Sequence, residues 1–211
     1  MNLQCKKNIL QGHLKLHLKI KDRFVPLLNK KKQGTFNLRI HSPTTKIMKT
    51  LYIIRHAKSS WGDFTLPDFE RPLNERGKKD APVMAQFLKD KKNIIDVFIS
   101  SPAKRALKTC EIFCETFKRN ASDIVIIDEL YHAPSPVFIE QIKKIDPAFN
   151  SAAIFSHNPG ITDFVNDLAV GVKVDNMPTC AIFAFQINSD DWSNFEWTEK
   201  TFLFFKYPKS F

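Results

Sequence analysis

Residues 48–60 read MKTLYIIRHAKSS, a short apolar run followed at once by cationic and hydroxyl side chains. Residues 51–54 are too few for a helix and rich in β-branched side chains, so they predict a buried strand. Arg55, His56 and Ser59 follow the point where that strand ends. Ligands of open α/β sheets bind beyond the carboxyl ends of the strands, which makes these three side chains candidates for a functional site.

The same alternation of short apolar runs and helical patterns continues to the end of the chain. Strands are predicted at residues 51–54, 97–100, 124–127, 152–155, 181–187 and 201–206, and helices at about 75–89, 102–117, 136–145 and 161–168. The last two strands read as a hairpin. This order of elements predicts an α/β fold, a three-layer α/β/α sandwich around a mostly parallel central sheet.

Three of the predicted helices have start signals. Asn74 can accept a hydrogen bond from the free amides of the first helical turn. Ser101 and Ser135 each place a hydroxyl group before a proline, whose missing N–H costs nothing at that position. We therefore predict that these three side chains cap their helices.

The net positive charge of the chain comes from its first 47 residues. Residues 1–47 hold 11 of the 32 Lys and Arg residues and one of the 22 Asp and Glu residues, so they account for the formal net charge of +10. We predict a basic, poorly ordered extension over 1–47 and one domain over 48–211. The extension could bind nucleic acid or a membrane surface, act as a transit peptide, or precede a true start at Met48, which is the favoured interpretation.

Composition and cysteine usage exclude several classes of protein. With 43% hydrophobic residues, the domain can bury a core and is neither disordered throughout nor fibrous. The four cysteines, Cys5, Cys110, Cys114 and Cys180, lack the paired spacing of zinc or haem sites. They are expected to be small buried apolar side chains in a reducing compartment. No apolar stretch suits a signal peptide or a membrane span. We expect a cytoplasmic protein without a membrane partner.

Cationic and imidazole groups occur at four places in the predicted domain, and three of these places follow a strand. Arg55 and His56 follow the first strand, and His157 follows the strand at 152–155. Arg71 opens an Arg-Pro-Leu segment, and Arg105 lies in the first turn of a predicted helix. Because the carboxyl ends of parallel strands meet at one edge of a sheet, these five side chains are expected to share one crevice.

Three guanidinium groups in one crevice favour a phosphoryl ligand, since each planar fork binds phosphate oxygens in bidentate fashion. A neutral histidine nitrogen can attack phosphorus and form a phosphohistidine, which water later hydrolyses. A second histidine can donate to the oxygens as charge develops. Each of these residues alone is explained as well by packing or surface exposure. The prediction therefore depends on the occurrence of all five at the same edge of the sheet. We expect no metal ion and no other cofactor, since the chain has no metal-ligand cluster and no glycine-rich phosphate loop.

Four motifs occur in order along residues 48–211: RHAK at 55–58, RPLNERG at 71–77, SSPAKRALKT at 100–109 and SHNPG at 156–160. Together they resemble the histidine phosphatase superfamily, and they are most similar to its small SixA-type phosphohistidine phosphatases. The resemblance implies a phosphoglycerate-mutase-like fold without a large cap. It covers nearly all of residues 48–211 and none of residues 1–47.

The resemblance also implies a role for each matching residue. His56 corresponds to the phosphorylated nucleophile, Arg55 and Arg105 to the phosphate-binding arginines, His157 to the second catalytic histidine and Arg71 to the extra arginine of the SixA-like branch.

Four further positions carry no assigned role. Ala57 stands where the superfamily usually has glycine, which is a conservative departure. Lys58 and Ser59 could contact phosphate or substrate, or could face solvent and cap the loop. Thr179 could lie near the crevice, although a turn before the next strand explains it as well.

The proton donor stays open. Larger members of the superfamily supply a carboxylic acid after the third strand, where this chain offers Glu129 or His132. Without an acid the enzyme would need a good leaving group. The P–N bond of phosphohistidine qualifies, whereas an alkyl phosphate needs a proton delivered in the transition state.

The sequence thus predicts a metal-independent phosphohydrolase that acts through phospho-His56 on a phosphohistidine-bearing protein. Small phosphate monoesters are the alternative substrates. A non-catalytic phosphate-binding module, helped by the basic extension to bind nucleic acid, is the alternative of another class.

Overall fold

The structure is a computed structural model that describes residues 48–168 and 170–211. The predicted basic extension over residues 1–47 lies outside this range. The strands are β1 (Lys49–Arg55), β2 (Val97–Ser100), β3 (Val125–Ile126), β4 (Ser151–Ser156), β5 (Ile182–Ile187) and β6 (Lys200–Lys206). The helices are α1 (Glu75–Asp90), α2 (Lys104–Thr116), α3 (Ser135–Lys143) and α4 (Gly160–Asp167).

The six strands form one sheet in the order β3-β2-β4-β1-β5-β6. Parallel pairing joins β1 to β4, β4 to β2 and β2 to β3. β5 runs antiparallel to β1, and β6 runs antiparallel to β5. Among the described strands only β5 is therefore reversed, which confirms the mostly parallel sheet and the terminal hairpin.

Helices cover both faces of the sheet because successive strand residues point to opposite sides. On one face, Leu51 and Ile53 of β1 pack in a buried cluster with Phe138 of α3 and Phe164 of α4. On the other face, Tyr52 and Ile54 pack with Met84 of α1 and Phe113 of α2. Burying one such side chain stabilises the fold by about 1.5–3 kcal/mol. The predicted three-layer sandwich is confirmed.

All predicted strands and helices occur, with boundaries that agree within two residues at each end. Among the described residues, the only helices of eight residues or more are the four that form the two layers, so no large cap is present there. None of these helices is long and apolar enough to cross a membrane. Cys110, Cys114 and Cys180 are buried free thiols, as predicted.

Of the three predicted helix caps, one is confirmed and two are wrong. The Asn74 side chain accepts from the amide of Gly77 at 2.9 Å. Ser101 does not cap α2 because the helix begins at Lys104 and Ala103 is the residue before it. The hydroxyl group of Ser101 bonds to His157 and accepts from the amide of Ala103 at 3.4 Å. Ser135 does not cap α3 because the helix already begins at this residue, so its hydroxyl lies inside the first turn.

Candidate active site

A cleft of about 270 Å³ lies at the carboxyl edge of the sheet, beyond the ends of β1 and β4 and beside the first turn of α2. Eleven of its twelve lining residues carry charged, imidazole, hydroxyl or amide groups. The lining consists of Arg55, His56, Lys58, Ser59, Trp61, Asp68, Arg71, Arg105, His132, His157, Asn158 and Thr179. The topology thus brings together the two histidines and three arginines that the sequence placed at this edge.

His56 lies directly after β1 and is almost fully buried. Its Nδ1 lies 2.7 Å from the carbonyl oxygen of Ala57, and a carbonyl can only accept, so Nδ1 carries the proton. Nε2 accepts from Nε of Arg105 at 3.3 Å. Burial, reinforced by the charges of Arg105 and Arg55 and opposed by the Ala57 hydrogen bond, lowers the pKa of His56 to about 3. The ring is therefore neutral and its Nε2 lone pair faces the anion-binding groups.

α2 holds the loop that follows His56. The Oγ1 of Thr109 accepts from the amide of Ala57 at 3.0 Å and donates to the carbonyl oxygen of Arg105 at 2.7 Å. On the other side of the loop, a Cβ on Gly77 would lie 2.2 Å from the carbonyl oxygen of Lys58. Glycine is needed at this position because α1 approaches the loop so closely.

His157 lies directly after β4 and is also buried. Its Nε2 is 2.8 Å from the hydroxyl oxygen of Ser101, and its ring centroid is 5.0 Å from that of His56. Burial, followed by the neighbouring His56 and Arg105, lowers the pKa of His157 to about 2. Two neutral imidazole rings therefore face each other in the cleft.

Arg55 and Arg71 are held by backbone and hydroxyl oxygens. Arg55 donates from Nη1 to the carbonyl oxygen of Met177 at 2.5 Å, and burial followed by the charge of Arg105 lowers its pKa. Arg71 donates from Nε to the carbonyl oxygen of Ser60 at 3.0 Å and from Nη2 to the hydroxyl oxygen of Ser59 at 2.8 Å. Ser59 therefore contacts the arginine.

Asp68 is a member of the site that the sequence analysis missed. Its Oδ2 lies 2.8 Å from Nη2 of Arg105 and its Oδ1 lies 3.0 Å from Nη1 of Arg71. Burial opposes its ionisation, but hydrogen bonds from Tyr131 and Arg105 and the charges of both arginines outweigh burial and lower the pKa of Asp68 to about 2. An ionised carboxylate thus occupies two of the guanidinium groups that a phosphoryl group would use.

The two candidate proton donors are placed differently. Glu129 is exposed on the turn Asp128–Leu130 and is not among the residues that line the cleft. His132 lines the cleft, and its Nε2 lies 3.7 Å from Oδ2 of Asp68. Lys58 and Thr179 also line it. The structure therefore brings His132, and not Glu129, to the site.

The arrangement combines a neutral nucleophilic nitrogen with a cluster of guanidinium groups that are charged at all relevant pH values. Such a cluster can hold a tetrahedral dianion and stabilise the charge that develops as phosphorus is attacked. The neutral ring of His157 carries one N–H, which can donate to an oxygen of the same group. The site is thus equipped for phosphoryl transfer to nitrogen.

Comparisons with known proteins agree with this geometry. Residues 51–131 match the sequence profile of the histidine phosphatase superfamily, branch 1. An uncharacterized chloroplastic protein of Arabidopsis thaliana is 41% identical over 68 residues, a match that spans 32% of this chain and 31% of that protein. The chain therefore matches less than a third of the length of this relative.

Solved structures match the whole domain. A SixA protein from Agrobacterium tumefaciens is 25% identical with a TM-score of 0.62, covering 75% of this chain and 97% of that one. The protein histidine phosphatase SixA in complex with tungstate is 23% identical with a TM-score of 0.65, covering 76% and 97%. A mycobacterial glucosyl-3-phosphoglycerate phosphatase shares the fold at 14% identity, with a TM-score of 0.54 and coverage of 74% and 97%. Residues 51–131 thus carry the sequence profile of the histidine phosphatase superfamily, and the chain shares its fold with SixA proteins.

Proposed function

We propose that this protein is a metal-independent phosphohydrolase that forms phospho-His56 and takes its phosphoryl group from a phosphohistidine carried on a protein. One observation carries the proposal. The proton of His56 is held on Nδ1 by the Ala57 carbonyl, while Nε2 faces the guanidinium group of Arg105. A site that only bound phosphate would need the arginines but no nucleophile oriented in this way.

The proposed cycle has two displacements at phosphorus. Nε2 of His56 attacks, the P–N bond of the substrate breaks, and the departing imidazole takes a proton from solvent. Water then attacks phospho-His56, the new P–N bond breaks, and inorganic phosphate leaves with His56 neutral again. Arg55, Arg71 and Arg105 hold the phosphoryl oxygens, and His157 stabilises the charge on the group in transfer. The guanidinium groups of the three arginines supply the positive charge that a metal ion would otherwise supply.

The positions of the candidate proton donors support this substrate class. Asp68 is ionised by its arginine partners, and Glu129 lies outside the cleft, so neither carboxyl group can protonate a leaving group in the free enzyme. A phosphohistidine leaving group does not need such an acid, whereas an alkoxide does. Phosphohistidine is also the substrate class associated with the protein histidine phosphatase SixA, whose fold this domain shares.

A small phosphate monoester is the second candidate substrate. It is favoured by the position of His132, which lines the cleft beside Asp68 and could deliver a proton to an alcohol. A fold relative, the glucosyl-3-phosphoglycerate phosphatase, acts on such an ester by its name.

The proposal extends to the role of residues 1–47 and to the cellular compartment of the protein. We propose that residues 48–211 form the phosphatase domain and that the basic extension takes no part in the reaction. The three buried free thiols suit a reducing compartment such as the cytoplasm. The chloroplastic relative makes a plastid the alternative, and imaging of the full chain with a C-terminal fluorescent tag separates the two.

The test measures phosphate release by the full chain from two substrates. The first is a carrier protein that phosphoramidate has phosphorylated on histidine, and the second is 4-nitrophenyl phosphate. We expect preference for the phosphoprotein, loss of both activities in His56→Ala, and retention in His132→Ala. Turnover of 4-nitrophenyl phosphate alone, or loss of activity in His132→Ala, would favour the ester. If neither substrate is turned over, the proposal of an enzyme is wrong.

A further inference from the structure

Residues 61–70, here called the rim segment, are exposed without exception and include four large apolar side chains. Phe64 is 88% exposed and Trp61 is 61% exposed, and Leu66 and Phe69 are also exposed. Single exposed apolar residues are normal on a protein surface, but four within nine residues form a concentrated patch. Such patches of aromatic side chains are typical of protein–protein interfaces.

The rim segment is continuous with the cleft. Trp61 lines the cleft, and its ring centroid lies 3.3 Å from the guanidinium carbon of Arg71. Asp68 forms ion pairs with Arg71 and Arg105, and Phe69 packs edge-on against Tyr131 with centroids 5.2 Å apart. Trp61 and Asp68 of the rim segment therefore line the cleft, whereas Phe64 and Leu66, which lie between them in the sequence, do not.

We propose that the rim segment is the docking surface for the protein that carries the phosphohistidine. This inference rests on the proposed function. A cleft of about 270 Å³ holds a phosphoryl group and an imidazole ring, so the remaining surface of a protein substrate must lie against the rim. A small phosphoester that fills the cleft has no part that extends to Phe64. Aromatic side chains in such positions contribute most of the energy of many interfaces.

The charge of the rim segment defines the partner further. Asp63, Asp68 and Glu70 lie within it, and residues 61–70 contain no Lys or Arg. Asp68 is neutralised by the two arginines of the cleft, which leaves two carboxylates beside the apolar side chains. The partner that fits is a protein whose phosphohistidine lies in an apolar patch with Lys or Arg at its border.

The test compares Phe64→Ala with Trp197→Ala in the full chain. Trp197 is a matched control because it is also a large apolar side chain and is 84% exposed. It follows β5, which ends at Ile187 beside Lys49, so it lies at the edge of the sheet opposite the cleft. We expect Phe64→Ala to raise the KM for the phosphohistidine-bearing carrier protein by roughly tenfold. Its kcat/KM for 4-nitrophenyl phosphate should stay unchanged, as should both values in Trp197→Ala. Leu66→Ala should act in the same direction as Phe64→Ala.

Three outcomes would overturn the inference, and they are distinguishable. An equal loss on both substrates means that Phe64 supports the cleft itself and not a partner. An unchanged KM in both rim variants, with the wild type active on the phosphoprotein, refutes the docking surface and leaves the proposed function standing. A wild type active only on 4-nitrophenyl phosphate refutes the proposed substrate class, and the docking surface with it.

Discussion

Nε of Arg105 lies 3.3 Å from Nε2 of His56, and the same guanidinium group binds the Asp68 carboxylate through Nη2 at 2.8 Å. One arginine therefore contacts both the proposed nucleophile and the anion in the cleft. The planar fork of arginine makes this possible, because its N–H groups diverge in fixed directions. In the proposed mechanism, His56 attacks a phosphoryl group that binds Arg105 in place of the Asp68 carboxylate.

Arg105→Lys should lower kcat/KM for 4-nitrophenyl phosphate by roughly 100- to 1,000-fold, because a lysine keeps the charge but cannot contact His56 and two oxygens together. The neighbouring Lys104 is exposed, and Lys104→Ala should leave kcat/KM unchanged. Steady-state kinetics of both variants checks the prediction. Equal activity of Arg105→Lys and wild type would mean that charge alone suffices.

Asp68→Asn should bind inorganic phosphate about tenfold more tightly than the wild type, since phosphate no longer competes with an ionised carboxylate for the arginines. The measurement is the inhibition constant of phosphate against 4-nitrophenyl phosphate. Asp63→Asn is the control, because Asp63 lies on the same segment and hydrogen-bonds to Thr65 instead. Weaker inhibition in Asp68→Asn would show that the carboxylate supports the phosphate site.

Thr109→Val should lower kcat, and the fold change in kcat should be about ten times the fold change in KM. The reason is that the buried amide of Ala57 loses its acceptor, so the position of His56 is no longer fixed. The substitution should also reduce the free energy of unfolding by about 1–3 kcal/mol. Thr109→Ser keeps the hydroxyl group and should restore both values. Failure of serine to restore kcat would mean that the methyl group, and not the hydrogen bond, matters.

The stability of the protein should fall as the pH drops below about 6.5, the ordinary histidine pKa. The folded-state pKa values of His56 and His157 are lowered to about 3 and about 2, so only the unfolded chain takes up protons on these rings just below that pH. Each buried ring then costs about 1.4 kcal/mol of unfolding free energy per pH unit.

Urea unfolding of wild type and His157→Gln at about pH 6 and about pH 5 measures this effect, and the variant should lose about 1.4 kcal/mol less between the two. The same loss in both proteins would contradict a neutral, buried His157.

The fold and the core of the site could be predicted because both depend on short-range patterns. The apolar runs set the strands, and the carboxyl ends of parallel strands must meet at one edge. That rule placed Arg55, His56 and His157 together before any contact was known. The hairpin of β5 and β6 followed from two adjacent apolar runs.

The contacts made by the rim segment could not be predicted in the same way. Asp68 reaches Arg105 because residues 61–70 fold back over the first turn of α2, and no local pattern encodes that path. Ser101 has the signature of a helix cap, yet its hydroxyl group bonds to His157, which lies 56 residues away. Glu129 is placed outside the cleft by a short turn that periodicity does not reveal. Long-range contacts therefore decided the positions of Asp68 and Ser101, and a local turn decided that of Glu129.

Trapping the phosphorylated enzyme tests directly whether His56 carries the phosphoryl group during turnover. The full chain is mixed with the phosphohistidine-bearing carrier protein, quenched within milliseconds in alkali, which preserves phosphohistidine, and digested for mass spectrometry. We expect a phosphoryl group on His56 that disappears as inorganic phosphate is released, and no phosphorylated peptide in His56→Ala. Phosphate release at the wild-type rate by His56→Ala, or a phosphoryl group trapped on another residue, would contradict it.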